Sequence, residues 1–174
     1  GKFINRDVIN ASELLLNRPF VKKSETEILP IQFENKFRDV VVTSFTLDEK
    51  TNEVWLTVAQ PLKKKKMDKA PHIYAGLFDP KAFSITELKR WEYSGYEDSS
   101  ACAHATLNAS GDMLVFSKLK SSKQDADLYI SKKKSGSWTK PTLLQSLSTS
   151  GNEMYPLFMG DNLLSYSSDG RAGY

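Results

Sequence analysis

The sequence predicts an all-β fold built from repeated units of about 50 residues. Short runs of alternating or β-branched residues recur along the chain, and Gly, Asp and Asn separate them. Two segments of the second half repeat each other at an offset of about 50 residues. The composition, with 40% hydrophobic, 11% aromatic and 26% charged residues, is that of an ordinary globular protein and excludes a disordered tail.

Length, charge and cysteine content narrow the range of possible functions. A chain of 174 residues can bury the core of one domain without disulfides or a structural metal. The formal charge of +3 is too small to predict a nucleic-acid-binding protein. The lone Cys102 has no metal-ligand spacing, so no cofactor or metal is expected. The chain has neither a membrane-helix run nor a signal-peptide core, so an export signal would have been removed or would lie upstream.

The elements follow in chain order. Residues 1–26 form a lead-in that holds either a short helix over Asp7–Asn17 or an outer strand. Turn residues punctuate the chain at 48–52, 79–80, 111–112, 135–136, 160–161 and 169–170. Between these turns, the predicted strands are Asp39–Leu47, Glu53–Gln60, His72–Phe78, Met113–Lys118, Asp127–Lys132 and Leu163–Ser168. Their succession favours antiparallel pairing of neighbouring strands.

The chain contains an internal repeat. Ala105–Ser117 aligns with Tyr155–Ser167, and each copy places Gly-Asp before an apolar strand. An earlier segment, Glu27–Phe33, resembles the opening of a third copy. Residues 73–74 resemble residues 128–129, which adds one longer unit to the pattern.

A unit of about 50 residues with four short strands has the size of one β-propeller blade. Radial stacking covers both faces of each four-stranded sheet with neighbouring sheets. The sequence therefore predicts a portion of a β-propeller with about three four-stranded antiparallel blades. The expected division is a first, longer blade at 27–99, a second at 100–150 and the start of a further blade at 151–174. Because propellers usually close with about four or more blades, we expect the chain to be part of a longer protein.

Residues 127–174 carry a repeat motif. In order, it reads as an Asp-x-Tyr strand, a Gly-x-Trp-x-x-Pro turn, an Asn-Glu-x-x-Pro strand and a Ser-Ser-Asp-Gly-Arg-x-Gly turn. Its positions are Asp127, Tyr129, Trp138, Pro141, Asn152, Glu153, Pro156, Ser168, Asp169, Gly170, Arg171 and Gly173. This pattern resembles the TolB-type, WD-repeat-like propeller repeats of Bacteroidetes envelope proteins.

The resemblance implies protein contacts rather than catalysis. Such propellers commonly sit in outer-membrane-associated lipoproteins, between tetratricopeptide repeats and an OmpA-like peptidoglycan-binding domain, and one group is similar to the PorE component of the type IX secretion system. By resemblance, we expect a non-catalytic scaffold in the periplasm, attached to the outer membrane. Its expected partners are envelope proteins of secretion or gliding machinery, and peptidoglycan would be reached only through a domain outside this sequence.

Several residues have expected structural roles. Gly111 and Gly160 suit tight turns because Gly tolerates positive φ, and the Asp that follows each is expected to bond its own backbone. Trp138 is expected between blades, with a partner for its indole N–H. Asp169 is expected to accept from backbone amides, and Arg171 to pair across blades.

The alternative function is a propeller that binds glycans or hydrolyses glycosides of envelope polysaccharide. Glu97, Asp98 and Asp112 are the carboxylates considered for acid and base roles, although the first two lie in a polar loop. His104 lies on a predicted inner strand, where a core or channel-lining position is the simpler interpretation, and His72 is expected to be exposed. The sequence has no nucleophile elbow, His-Glu-x-x-His or phosphate-loop motif.

One dense basic block stands between two predicted strands and is expected in a long exposed loop. It consists of Lys63, Lys64, Lys65 and Lys66. The simple interpretation is a solvated loop. The functional one is electrostatic contact with an acidic partner or anionic lipid, which is worth up to about 1 kcal/mol per Lys near a charged membrane. Nucleic acid is not expected, because no aromatic residue is interleaved to stack bases.

Overall fold

The computed structural model describes residues 9–10, 15–17, 28–34, 37, 40–59, 70–93, 101–119 and 125–171. These residues contain no α-helix, which confirms the predicted all-β class, and none of them belongs to a helix able to cross a membrane. The strands of the described residues are β1 (Ile9–Asn10), β2 (Leu15–Asn17), β3 (Ile28–Pro30), β4 (Gln32–Phe33), β5 (Val41–Asp48), β6 (Glu53–Ala59), β7 (His72–Asp79), β8 (Ser84–Arg90), β9 (Cys102–Leu107), β10 (Met113–Leu119), β11 (Ala126–Lys134), β12 (Ser137–Trp138), β13 (Thr142–Leu143), β14 (Glu153–Phe158) and β15 (Leu164–Ser168).

The first sheet is centred on a four-stranded antiparallel meander, β5–β6–β7–β8, which we call the first unit. Short strands from the N-terminal region cover both of its edges, since β1 pairs with β5 and β4 pairs parallel with β8. A separate ladder joins β2 and β3. Leu15–Asn17 therefore forms a strand, and the helix alternative for Asp7–Asn17 is wrong at these residues because their backbone pairs with β3.

The second unit repeats the meander with β9, β10 and β11, and the short strands β12 and β13 both pair with β11. The third unit is the hairpin β14–β15. The first strands of the units lie side by side, because β9 contacts both β5 and β14. The three units are therefore stacked in sequence order.

Each first strand carries a β-bulge, and in the second and third units the bulge lies at the equivalent position. In the first unit, Thr43 is the extra residue in the ladder with β6. His104 and Ala105 lie opposite one residue of β10, and Tyr155 and Pro156 lie opposite one residue of β15. The φ angles of His104 and Tyr155 are both positive, at 56° and 53°. The shared bulge and positive φ indicate that the second and third units are copies of one structural element.

The ladder registers identify which parts of the sequence repeat. Ala105–Ser117 and Tyr155–Ser167 cover the equivalent hairpins β9–β10 and β14–β15. Tyr74 and Tyr129 occupy matching positions of the third strands, β7 and β11. Glu27–Phe33 is not the opening strand of a unit, because β3 and β4 pair with β2 and β8 and the first unit begins with β5. A shared Glu and Pro are too little to specify that position.

Two apolar clusters cover opposite faces of the first unit. One packs the first unit against the buried side chains of Ile31, Phe37 and Val40 and the half-buried Phe33. The other lies between the first and second units and consists of Trp55, Ile73, Trp91, Cys102, Ala105, Leu107, Leu114 and Phe116. Strand β6 is buried on both faces, since Leu56 enters the first cluster and Trp55 the second. Each fully buried large side chain stabilises the fold by about 1.5–3 kcal/mol.

Candidate functional site

Motif residues meet at the open end of the hairpin β14–β15, which we call the junction. Glu153 begins β14 and is fully buried. One carboxylate oxygen accepts hydrogen bonds from the hydroxyl groups of Thr149 (2.6 Å) and Ser168 (2.8 Å). The other accepts from the Thr149 backbone N–H (3.0 Å). Because a buried carboxylate needs hydrogen-bond partners, these three donors fix the loop before β14 to the end of β15.

Asp169 closes the junction on the solvent side. Its carboxylate accepts from the backbone N–H of Asn152 (2.5 Å) and from the Asn152 side-chain amide (2.8 Å). In return, the Asp169 backbone N–H donates to the Asn152 carbonyl (3.2 Å). The backbone and side-chain hydrogen bonds from Asn152 hold the pKa of Asp169 below its usual value. This carboxylate is therefore engaged within the fold as a hydrogen-bond acceptor.

The junction also ties the hairpin to the second unit. The Asn152 side-chain oxygen accepts from the backbone N–H of Ala126, where β11 begins (3.1 Å). The Ser148 hydroxyl donates to Asp127 on the same strand (2.7 Å). The Arg171 guanidinium donates to two backbone carbonyls of the loop after β13, both at 3.3 Å. The motif therefore joins one unit to the next.

Two glycines allow the close approach of chains at the junction. A Cβ at Gly170 would overlap the Thr149 hydroxyl and would lie 2.8 Å from the backbone nitrogen of Gly151. A Cβ at Gly151 would overlap the Asp169 carboxylate. Larger residues at either position would push the strand ends apart.

Trp138 lies between the first and second units. Its ring meets Trp55 edge to face with the centroids 5.3 Å apart, and Trp55 meets Trp91 at 5.5 Å. The Lys133 ammonium lies 5.5 Å from the Trp138 ring centroid and 3.2 Å from the Glu53 carboxylate. Each edge-to-face pair contributes about 0.5–1.5 kcal/mol beyond its buried area. The buried indole N–H of Trp55 has no acceptor within the described part of the chain.

The other motif positions build the sheets. Tyr129 stacks on Phe116 with the ring centroids 6.2 Å apart, and the Lys118 ammonium lies 5.5 Å from the Tyr129 centroid. Pro156 is buried in the bulge of β14, and Pro141 is half-buried just before β13. These contacts are packing contacts within and between the sheets.

A second network joins the turns between first and second strands. The Asn108 amide donates to Asp112 (2.7 Å) and Asp161 (3.2 Å), and Asp161 also accepts from the hydroxyl and backbone N–H of Ser110 (2.6 and 2.7 Å). These side-chain and backbone hydrogen bonds from Ser110 lower the pKa of Asp161. Lys50 of the first unit donates to a backbone carbonyl of the same turn (2.8 Å). Asp161 thus bonds the neighbouring turn rather than its own backbone as expected, because stacking brings the turns together.

Gly111 and Gly160 hold these turns with φ angles of 74° and 89°. Positive φ costs glycine little, which confirms the predicted reason for glycine at both positions. The two turns lie at equivalent places in the second and third units.

His104 and Tyr155 stack where the bulges of β9 and β14 meet. Their ring centroids are 4.1 Å apart, and the rings are inclined by 34°. The His104 backbone N–H donates to the Thr57 hydroxyl of the first unit (2.7 Å), and its side chain is only 9% exposed. Burial lowers the pKa of His104 to about 4, so the imidazole is neutral at neutral pH. Its Nδ1 is buried and has no partner within the described ranges.

Among the residues that the structure describes, the candidate acids and bases do not converge on one point. Asp112 lies in the turn network and accepts from Asn108. His72 was expected to be exposed but is buried, because β7 is an inner strand of its sheet. The Arg90 guanidinium lies 2.8 and 3.0 Å from the two ring nitrogens of His72. Burial raises the pKa of the Cys102 thiol to about 11. Among the described residues, no group of three or more His, Cys, Asp or Glu side chains could hold a metal ion.

Several predicted positions lie outside the described residues, and their roles stay predictions. They are Lys63, Lys64, Lys65, Lys66, Glu97, Asp98 and Gly173. Conversely, sequence reasoning missed Ser148 and Thr149, whose hydroxyl groups complete the junction. Their only signal was a polar Ser-Thr-Ser-Gly run, which is typical of any loop.

Comparison with known protein families, curated proteins and solved structures finds no match to this chain. Function is therefore inferred from the geometry of the chain and from the motif resemblance. In that geometry, Glu153, Asp161 and Asp169 all accept hydrogen bonds that join turns, strands or units.

Proposed function

We propose that the chain is a segment of a β-propeller that acts as a non-catalytic protein-interaction scaffold in a bacterial cell envelope. The observation that carries this proposal is that the acidic motif residues are engaged in holding the repeat units together. Glu153 is buried among three donors, and Asp169 accepts two hydrogen bonds that lower its pKa. A general acid needs the opposite, a raised pKa and access to substrate.

Two features support the propeller interpretation. The first and second units are each antiparallel meanders of the size of a blade, and the third repeats their opening hairpin. Their first strands lie side by side and each carries a bulge, as expected for blades arranged around a common axis. On this proposal, the chain supplies about three blades of the ring.

The location and partners follow from the resemblance of the motif. The scaffold would lie in the periplasm, attached to the outer membrane, as a subunit or accessory of a secretion or gliding assembly. Peptidoglycan would be contacted through another domain of the whole protein. The basic block Lys63–Lys66 would add an electrostatic contact with an acidic partner or with anionic lipid headgroups.

The experiment is capture of partners from detergent-solubilised cell envelope by the purified, tagged chain, followed by mass spectrometry. The expected result is retention of outer-membrane-associated secretion or gliding components. Replacing Lys63–Lys66 with Ser should weaken capture at low salt, whereas replacing the exposed Lys81, Lys89, Lys132 and Lys134 with Ser should not. This control removes the same charge from β8, β11 and the turn before β8.

The competing glycan function is tested in the same samples. Binding to purified envelope polysaccharide, or release of new reducing ends from it, without any retained protein would contradict the scaffold proposal. Equal loss of capture in both lysine variants would contradict the specific role of the basic block.

A further inference from the structure

The first unit has a groove over its strands β7 and β8, which we call the bulge groove. Its volume is about 620 Å³, which is within the range of ligand pockets in proteins. Ala75 and Trp91 line it, and both pack in the apolar cluster between the first and second units. The groove therefore lies on the face that the first unit turns toward the second.

The size of the outer strands explains why this part of the face is open. Strand β8 has seven residues, whereas the second unit ends in β12 and β13, which have two residues each. The outer part of the second unit thus covers less of the first unit than a full-length fourth strand would. The residues that line the groove come from the first unit and from the segment directly after β8.

A β-bulge shapes the floor of the groove. Gly76 of β7 lies opposite both Glu87 and Leu88, so β8 has one extra residue at this point. A Cβ at Gly76 would lie 2.9 Å from a backbone carbonyl oxygen of β8, so glycine allows the close approach. Glu87 has a φ of 53°, and its N–H donates to the Glu34 carboxylate (2.8 Å). The groove is therefore set by strand backbone and not by a loop.

The lining has an apolar floor. Leu77, at 41%, is the most exposed large apolar side chain among the described residues of the first and second units. It lies beside Ala75 on the same strand and pairs with Glu53 of β6. An aliphatic side chain placed in the groove would bury the exposed surface of Leu77.

The charged groups of the lining are mainly acidic. They are the carboxylates of Glu53, Glu87 and Glu92 and the cations of Lys89 and Arg90. The Arg90 guanidinium lies within 3.0 Å of the buried His72 ring, so its charge is engaged inside the first unit. Glu87 and Glu92 are exposed. This balance favours a basic ligand group over an acidic one.

The chain itself shows such a contact at the wall of the groove. The Lys133 ammonium of the second unit lies 3.2 Å from the Glu53 carboxylate and 5.5 Å from the ring centroid of Trp138. A lysine that reaches this face from outside the first unit is thus held by a glutamate of the groove. A partner lysine would find the same chemistry at Glu87 and Glu92.

We propose that the bulge groove docks a protein partner through a segment that carries an aliphatic side chain next to a lysine. The aliphatic side chain packs on Leu77 and Ala75, and the lysine ammonium pairs with Glu87 or Glu92. This inference rests on the proposed function, since it names the surface by which the scaffold holds a partner. Apolar contact supplies affinity, and the carboxylates select the charge of the segment.

The probe is the blocked peptide acetyl-Lys-Leu-Lys-amide, titrated into the full 174-residue chain while backbone amide shifts are followed by NMR. Saturable shifts are expected at Gly76, Leu77 and Glu87. The peptides acetyl-Glu-Leu-Glu-amide and acetyl-Lys-Ser-Lys-amide change the charge and the apolar group separately. Each should bind at least about fivefold more weakly, and raising salt from about 50 to about 300 mM should weaken the first peptide.

Two leucine variants make the matched control. Leu77 and Leu119 are 41% and 37% exposed, and Leu119 lies at the end of β10, outside the groove. Because both side chains are exposed, Leu77→Ser and Leu119→Ser should keep the wild-type circular dichroism spectrum. Leu77→Ser should weaken binding of acetyl-Lys-Leu-Lys-amide by about fivefold or more, whereas Leu119→Ser should leave it unchanged.

Three results would overturn the inference. They are no saturable shifts at the bulge groove, equal binding of the lysine and glutamate peptides, and equal loss of binding in the two leucine variants. Envelope capture is measured separately. A chain that captures envelope proteins and does not bind the peptide contradicts only this inference, and a chain that binds the peptide and captures no envelope protein contradicts only the proposed function.

Discussion

Replacing Glu153 with Ala should destabilise the protein strongly, although the residue lies near the end of the described chain. The substitution removes the acceptor of three hydrogen bonds in a fully buried position. The backbone N–H of Thr149 is fixed by its loop and loses this acceptor, whereas the hydroxyl groups of Thr149 and Ser168 can rotate. At about 1–3 kcal/mol for this fixed donor and about 1 kcal/mol for the two lost hydroxyl hydrogen bonds, the expected loss in the free energy of unfolding is about 2–4 kcal/mol.

The Glu153→Gln variant tests the role of the charge, because it removes the negative charge of the side chain and keeps nearly the same shape. The amide oxygen can still accept from the Thr149 N–H, and the amide nitrogen can donate to the two hydroxyl groups. Only the charge-assisted part of the hydrogen bonds is lost, so we expect a smaller decrease of about 1–2 kcal/mol. The order Ala, then Gln, then wild type in increasing stability follows from the hydrogen-bond geometry.

The assay is urea unfolding followed by far-UV circular dichroism and tryptophan fluorescence. Both signals are needed because Trp55, Trp91 and Trp138 all lie at or beside the interface of the first two units. Glu92→Ala, at an exposed position, is the control and should change stability by less than about 0.5 kcal/mol. A loss below about 1 kcal/mol for Glu153→Ala would refute the reasoning, because the carboxylate would then not be needed at the junction.

Three further outcomes are expected. Gly111→Ala should destabilise the chain by about 1 kcal/mol more than Gly136→Ala. Both glycines have positive φ, but only at Gly111 would a Cβ lie 2.6 Å from the Asp48 carboxylate. Equal losses of stability in urea unfolding would contradict this prediction. The free energy of unfolding should fall by about 3 kcal/mol as the pH drops from 6.5 to about 4, because the unfolded chain protonates His104 in this range and the folded chain does not. The His104→Asn variant should lose most of this pH dependence. If its pH dependence is unchanged, another group causes the effect. The Cys102 thiol should react with a thiol reagent at neutral pH only after the chain unfolds, because the thiol is buried and its pKa is raised to about 11. Rapid reaction of the native chain would contradict its burial.

Most of the strands that flank tight turns were predictable from sequence. The alternation of apolar and polar residues and the Gly-Asp turns place β10 and β15, and the structure confirms both with small shifts of their ends. Strand β8 was missed because its bulge breaks the alternation. Glu87 has a φ of 53°, so Ile85 and Leu88 are both buried although they are three residues apart. A period of two cannot detect such a strand.

Strand β9 was predicted only as part of a repeat, for a similar reason. All six of its residues are buried, because the first unit covers one face and the third unit covers the other. The bulge at His104 further disrupts any alternation. A short strand buried on both faces has no periodicity from which to predict it.

The composition of the junction was predictable in part. The motif identified Asn152, Glu153 and Asp169 as special positions, and an acceptor role for Asp169 follows from its chemistry. Their pairing requires the hairpin to bring residues that are 17 apart into contact. The role of Thr149 was not predictable, because a hydroxyl residue in a polar loop gives no sign of which buried carboxylate it will meet.

We propose that this chain acts by binding proteins of a cell envelope, and photo-cross-linking in cells of the producing organism tests this proposal most directly. A photoreactive residue would replace one exposed side chain in each unit: Glu92, Lys140 or Ser167. We predict covalent adducts with outer-membrane-associated proteins from a defined subset of these positions. Adducts with polysaccharide alone, or no adducts from a correctly folded chain, would contradict the claim.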